Sequence, residues 1–218
     1  MPADPVGVVE VGRVVAAAGL VTAFGHVSRR LSATSYEITG PGDLAALEPH
    51  ETARVDLGAP APPADAPGES WLHTEIYRAR PDVGGIVRAQ PVTAFAAAAV
   101  ARELRPVHGQ AAWLGATVPV FPTCRLVRDR ALAVAAAEAL RGGHALLLRG
   151  NGAVTVGADP QTAAARMGLL DAACDVWLRA RPVGSPAELD GDDLAAWAAA
   201  GPPLLDRLWA TMVRRARI

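Results

Sequence analysis

The chain has 218 residues, 51% hydrophobic and 20% charged, with a formal net charge of −1. That composition builds one large packed domain or two small ones and excludes a disordered chain. Without a basic block, aromatic-basic interleaving or zinc-finger spacing, nucleic acid is not an expected partner, and no apolar run reaches the ~20 residues of a membrane span.

In chain order, Val6 to Ala18 reads as a helix stopped at Gly19. Tyr36 to Thr39 reads as a short strand, followed by the turn TGPGD. GAPAPPADAP, Gly58 to Pro67, is a surface loop, closely flanked by patterned segments. Glu69 to Arg80 is helical and ends at Pro81-Asp82, and Gly85 to Ala89 is a strand. Pro91 to Ala101 is a helix with Pro in its first turn. Thr117 to Phe121 is a strand and Asp129 to Arg141 a helix. Strands at His144 to Arg149 and Ala153 to Gly157 flank a Gly-Asn-Gly turn, in which Asn151 suits a left-handed position. Asp159-Pro160 caps a long helix running to about Arg179. Two Trp-bearing helical segments follow, around Trp197 and Trp209. The mixture predicts one α/β domain, residues 1–182, with a helical C-terminal extension, 183–218, packed on the same domain or on a neighbouring subunit.

Several chemistries are excluded by what is missing. All 21 basic residues are arginine, so no lysine Schiff base can form. GxGxxG and GxxxxGK[ST] are absent, leaving no visible nucleotide-binding loop. Cys124 and Cys174 are far apart and read as free thiols. MPADPVGVVE lacks the basic start and apolar core of a signal peptide, so a cytoplasmic location is expected.

Three blocks carry a resemblance. They are GLVTAFGHVSRRL…YEITGPG, ESWLHTEIYRARPDVGGIVRAQP and ALLLRGNGAVTVGADPQTAAARMGLLDAACDV. In order and spacing they resemble the class II aldolase/adducin family over roughly residues 8–180. The resemblance implies an α/β/α three-layer sandwich around a central, mostly antiparallel sheet. It also implies a homotetramer with sites between neighbouring subunits. In that family three histidines hold a divalent metal, usually zinc, and a glutamate moves the proton. Here Glu69 matches the glutamate, whereas the ligand positions fall on Arg88, Gln90 and Asn151. A guanidinium has no lone pair for a metal and repels it, and carboxamides are weak, hard ligands. No metal and no other cofactor are therefore expected. The family's phosphate-binding positions match His26, Pro41, Pro67 and Gly68, which disfavours a phosphorylated sugar.

Each candidate also has a plainer reading. Glu69 opens a helix, where the dipole alone favours a carboxylate. His73, four residues on, shares its face and reads as a hydrogen-bonded structural histidine or as part of the substrate pocket. Arg88 and Gln90 share a strand face, as the floor of a site or as polar drift in a dead one. Asn151 serves the turn or the site. His26, Ser28, Arg29 and Arg30 form an anion subsite or solvated surface, and His108 is implied near the site mouth. A metal held by Glu69, His73 and His26 is a further alternative. The leading expectation is a metal-independent lyase or isomerase acting on a small non-phosphorylated hydroxy or keto compound, a carboxylate above all, in specialised metabolism. Glu69 would move the proton, and Arg88, with Gln90 and Asn151, would replace the metal as electrophile. The rival is a non-catalytic, adducin-like interaction or scaffold module.

Overall fold

The computed structural model describes residues 6–217. Residues 1–5 and 218, the outermost positions of the two expected segments, lie outside the described residues. The elements are α1 (Val8–Ala17), β1 (His26–Arg30), β2 (Ser35–Thr39), β3 (Thr52–Asp56), α2 (Ser70–Ala79), β4 (Gly85–Ala89) and α3 (Val92–Val100). They continue with β5 (Glu103–Leu104), a 3-10 turn (Gly109–Leu114), β6 (Val118–Phe121), α4 (Arg130–Leu140), β7 (Ala145–Leu148) and β8 (Gly152–Gly157). The chain ends with α5 (Pro160–Ala180), α6 (Gly191–Ala199) and α7 (Gly201–Ala216).

Eight strands form one sheet in the order β3-β2-β1-β4-β8-β7-β6-β5. Every pairing is antiparallel except β6 with β7. Side-chain alternation sorts the sheet into two faces. Val27, Val87, Ala89, Leu147 and Ala153 meet α1, α3, α5 and α7 on one side. Ile38, Ile86, Leu146, Val154 and Val156 meet α2 and α4 on the other. The result is the expected α/β/α sandwich with a mostly antiparallel sheet.

Local chemistry accounts for the helix ends. Asp129 accepts from the Leu132 amide at 2.9 Å and Asp159 from the Thr162 amide at 2.7 Å, each closing an N-terminus. Pro160 follows in the first turn of α5. On the C-terminal segment, α7 buries Leu205 and Met212 against the core that includes α1 and α5. α6 has no buried residue, but Trp197 lies over Gly109, where any Cβ would clash with the indole. Among the described residues no helix is long and apolar enough to cross a membrane.

Three strands escape sequence reading, β5 among them because it is only two residues long. β1 holds two adjacent arginines, and β3 has only Ala53 and Val55 to mark its buried side.

Candidate active site

The Gly-Asn-Gly turn between β7 and β8 builds one wall of a cleft. Positive φ falls on Gly150 (66°) and Gly152 (86°), not on Asn151, contrary to the local expectation of a left-handed asparagine. The glycines take the conformation that L side chains resist, so Asn151 is free to turn its carboxamide inward. Gly152 also packs so closely on the Ala89 carbonyl that a Cβ could not be accommodated.

Glu69 is the N-cap residue of α2, yet its side chain makes no capping bond. Its carboxylate is turned into the protein instead. Oε1 accepts from Asn151 Nδ2 at 2.7 Å and from the Val127 amide at 3.4 Å, and Oε2 meets Arg88 Nη2 at 3.1 Å. The helix-dipole reading therefore does not account for this residue.

Arg88 comes from β4, on the sheet face covered by α2 and α4. It is 1% exposed, the largest fully buried side chain. Its Nη2 also donates to the Asn151 backbone carbonyl at 3.1 Å and, in a shorter contact, to Asn151 Oδ1. With its amide oriented to satisfy both ends, Gln90 accepts from Arg88 Nη1 at 3.2 Å and donates to the Phe24 carbonyl at 3.2 Å. Burial pulls the Arg88 pKa down and Glu69 pulls it back up. An unpaired buried charge would be costly, and this pairing is what allows the guanidinium to stay here.

These residues floor a cavity of about 440 Å3, within the usual range of small-ligand sites. Its walls include Phe24, His26, Pro41, Pro67, Gly68, Leu126 and Arg128. His26 is paired across the strands with Arg88, so it shares the Arg88 face. Burial, then His73, Arg88 and Arg128, hold its imidazole well below the ordinary value, so it is neutral at pH 7 and not a cationic anion hook.

His73 and Ser28 lie behind His26. Ser28 Oγ is 2.7 Å from His73 Nδ1 and 2.9 Å from Tyr77 Oη, a buried polar chain linking β1 to α2. The His26 and His73 ring centroids are 5.7 Å apart. His73 has its pKa pushed down to about 3, by burial first and Arg88 second.

The structure separates two other sequence candidates from the cavity. Arg30 donates to the carbonyls of Val83, Tyr77 and Arg80, at 2.8, 2.8 and 3.0 Å, and holds the far end of α2 rather than an anion. His108 precedes the 3-10 turn and is not part of the cavity lining in this chain. Arg29, which was grouped with them, pairs with Glu37 at 3.0 Å. Sequence reasoning missed Arg128, which lies against Gly68 and makes no ion pair among the described residues. Only the density of arginine in CRLVRDR hinted at it.

A three-histidine zinc site does not fit these residues. Position 88 carries a fixed cation, and the carboxamides at 90 and 151 are tied to it. No group of three His, Cys, Asp or Glu side chains able to hold a metal occurs among the described residues.

Comparison with known proteins agrees with the fold. The model for "Class II Aldolase and Adducin N-terminal domain" matches residues 6–178. A 3,4-dihydroxyphthalate decarboxylase of Terrabacter sp. (strain DBF63) is 34% identical over 207 residues, 87% of each chain. A second enzyme of that name, from Arthrobacter keyseri, is 36% identical over 157 residues, 64% of this chain and 63% of its own. The crystal structure of L-fuculose-1-phosphate aldolase from Thermus thermophilus superposes with a TM-score of 0.72. It is 32% identical and covers 80% of this chain and 92% of that one. The decarboxylase relatives are in keeping with the lyase-type enzyme expected from the sequence. The chain belongs to the class II aldolase and adducin family.

Proposed function

We propose that the protein is a metal-independent lyase that decarboxylates a small, non-phosphorylated hydroxy acid, of the hydroxyaryl carboxylate type. The observation that carries the reading is the buried Glu69–Arg88–Asn151 cluster on the floor of a cleft. The names of the decarboxylase relatives support the reaction class. Apolar walls at Phe24, Pro41, Pro67 and Leu126 suit a flat carbon skeleton, and they offer no side-chain donors to a phosphate.

Both terminal nitrogens of Arg88 are engaged, and its Nε, though without a partner, is buried, so an anionic substrate enters by exchange. Its oxygen takes the place of the Glu69 carboxylate on Arg88 Nη2, and Glu69 is left free to accept the substrate's hydroxyl proton. Arg88, Gln90 and Asn151 then hold the negative charge on oxygen, a preorganised donor set each member of which is worth roughly 3–4 kcal/mol in such sites. Glu69 returns the proton to the ring carbon bearing the carboxylate. The C–C bond breaks, its electron pair stays with the ring, and CO2 leaves. The phenolate product takes one proton from solvent. His26, neutral beside Arg88, orients the substrate through a hydrogen bond, with Ser28 and His73 fixing it from behind. Arg128 meets the substrate at the mouth. A homotetramer, with His108 of a neighbouring copy near the site opening, would close the cleft.

Glu69→Gln and Arg88→Lys test the reading. Each should lower CO2 release from a hydroxybenzoate panel at least a hundredfold while the far-UV spectrum is unchanged. Activity retained in Glu69→Gln would refute the assigned base.

A further inference from the structure

A second cavity, about 460 Å3, opens at the opposite end of β7 from Asn151. Its polar end is made by the cationic Arg166 and by His144, and its walls include Trp113, Leu194, Ala198 and Leu205. The wall side is apolar because Trp113 Nε1 donates to the Trp197 carbonyl at 2.7 Å, turning carbon toward the space.

Arg166 lies on α5. Its Nη1 donates to the Val156 carbonyl at 2.7 Å, and Nε is buried without a partner. No carboxylate pairs with it among the described residues. Asp159, the nearest acid to influence it, has its carboxylate turned to the Thr162 amide as a helix cap. Asp82, which acts on His144, is paired with Arg80 at 2.7 Å. His144 Nδ1 is likewise buried without a partner. Burial and the neighbouring arginines push the His144 pKa down to about 4, so the imidazole is neutral and can donate from Nε2 as that tautomer. Burial lowers Arg166 to about 10, still cationic at neutral pH. A half-buried cation without a counter-ion, at the end of an apolar slot, is a receptor for an anion on an apolar body.

We infer that this cavity is a second binding site, separate from the catalytic cleft, for a small monocarboxylate with an aromatic or aliphatic body. The carboxylate meets Arg166 and His144, and the body lies along Trp113, Leu194 and Leu205. α6, which forms the outer wall and buries none of its residues, is the element such a ligand would order.

Isothermal titration with benzoate decides it. One binding event should weaken about 10- to 100-fold in Arg166→Met, the usual loss for a charged hydrogen bond. The same event should weaken in Ala195→Glu, which sets an opposing charge at the lip on an exposed helix and leaves the core alone. It should be unchanged in Arg88→Lys, so failure of the catalytic reading would leave it intact. Absence of any event with that pattern, whether no binding or binding indifferent to Arg166→Met and Ala195→Glu, overturns the inference.

Discussion

Replacing Arg88 by Met removes one member of a fully buried ion pair and leaves the other in place. Glu69 Oε2 loses its 3.1 Å partner, and the Asn151 carbonyl, held at 3.1 Å, loses its donor together with Asn151 Oδ1. The remaining carboxylate is 6% exposed as a residue and keeps only the Asn151 carboxamide and the Val127 amide as protein partners. Breaking a buried pair in this way costs about 3–5 kcal/mol. For a domain of this length each kcal/mol lowers Tm by roughly 2–4 °C, so a drop of roughly 6–20 °C is expected. The double variant Glu69→Gln/Arg88→Met removes both charges and should recover at least half of that loss. Differential scanning calorimetry at pH 7 on the wild type, the two single variants and the double variant closes the cycle. A Tm for Arg88→Met within about 2 °C of wild type, or a double variant no better than the single, would refute the buried pair as the organiser of the floor.

Other outcomes follow from the same geometry. Gly152→Ala should be destabilised by at least about 2 kcal/mol in urea melts, because φ is 86° there and the added Cβ meets the Ala89 carbonyl. Ser28→Ala should cost about 1–3 kcal/mol by the same melts, since it strips the shared partner from His73 Nδ1 and Tyr77 Oη. His73 is held neutral, with a folded value of about 3 against an ordinary 6.5. Between those values the unfolded chain binds the extra proton. Its contribution is thus complete above pH 6.5 and is lost on acidification, by up to about 1.4 kcal/mol per pH unit. Urea melts at pH 7 and pH 5 should show a shallower loss for His73→Gln than for wild type.

The middle block was legible because its signals are local. An apolar helix repeat, a Pro-Asp stop and a five-residue strand place Glu69, Arg88 and Gln90 within 22 residues. The glycines around Asn151 marked it as a turn residue and only the family resemblance marked it as a site residue; in this turn the positive φ angles fall on the glycines. Arg128 was not readable, because it reaches the cleft only when the loop after β6 folds back over Gly68, a contact 60 residues long in sequence. Arg30 was misleading for a related reason: an arginine next to Arg29 looks like surface or an anion site until the carbonyls of the α2 end arrive beneath it. His26 changes meaning with burial, from a member of an anion subsite or solvated surface to a neutral imidazole in the cleft wall.

The most direct measurement is CO2 release by enzyme shown by elemental analysis to contain no zinc, after EDTA treatment, on a panel of hydroxyaryl carboxylates. Arg88 acting in the metal's place predicts full turnover by the metal-free wild type, with none in Glu69→Gln or Arg88→Lys. Turnover that disappears with EDTA and returns with added zinc would contradict it.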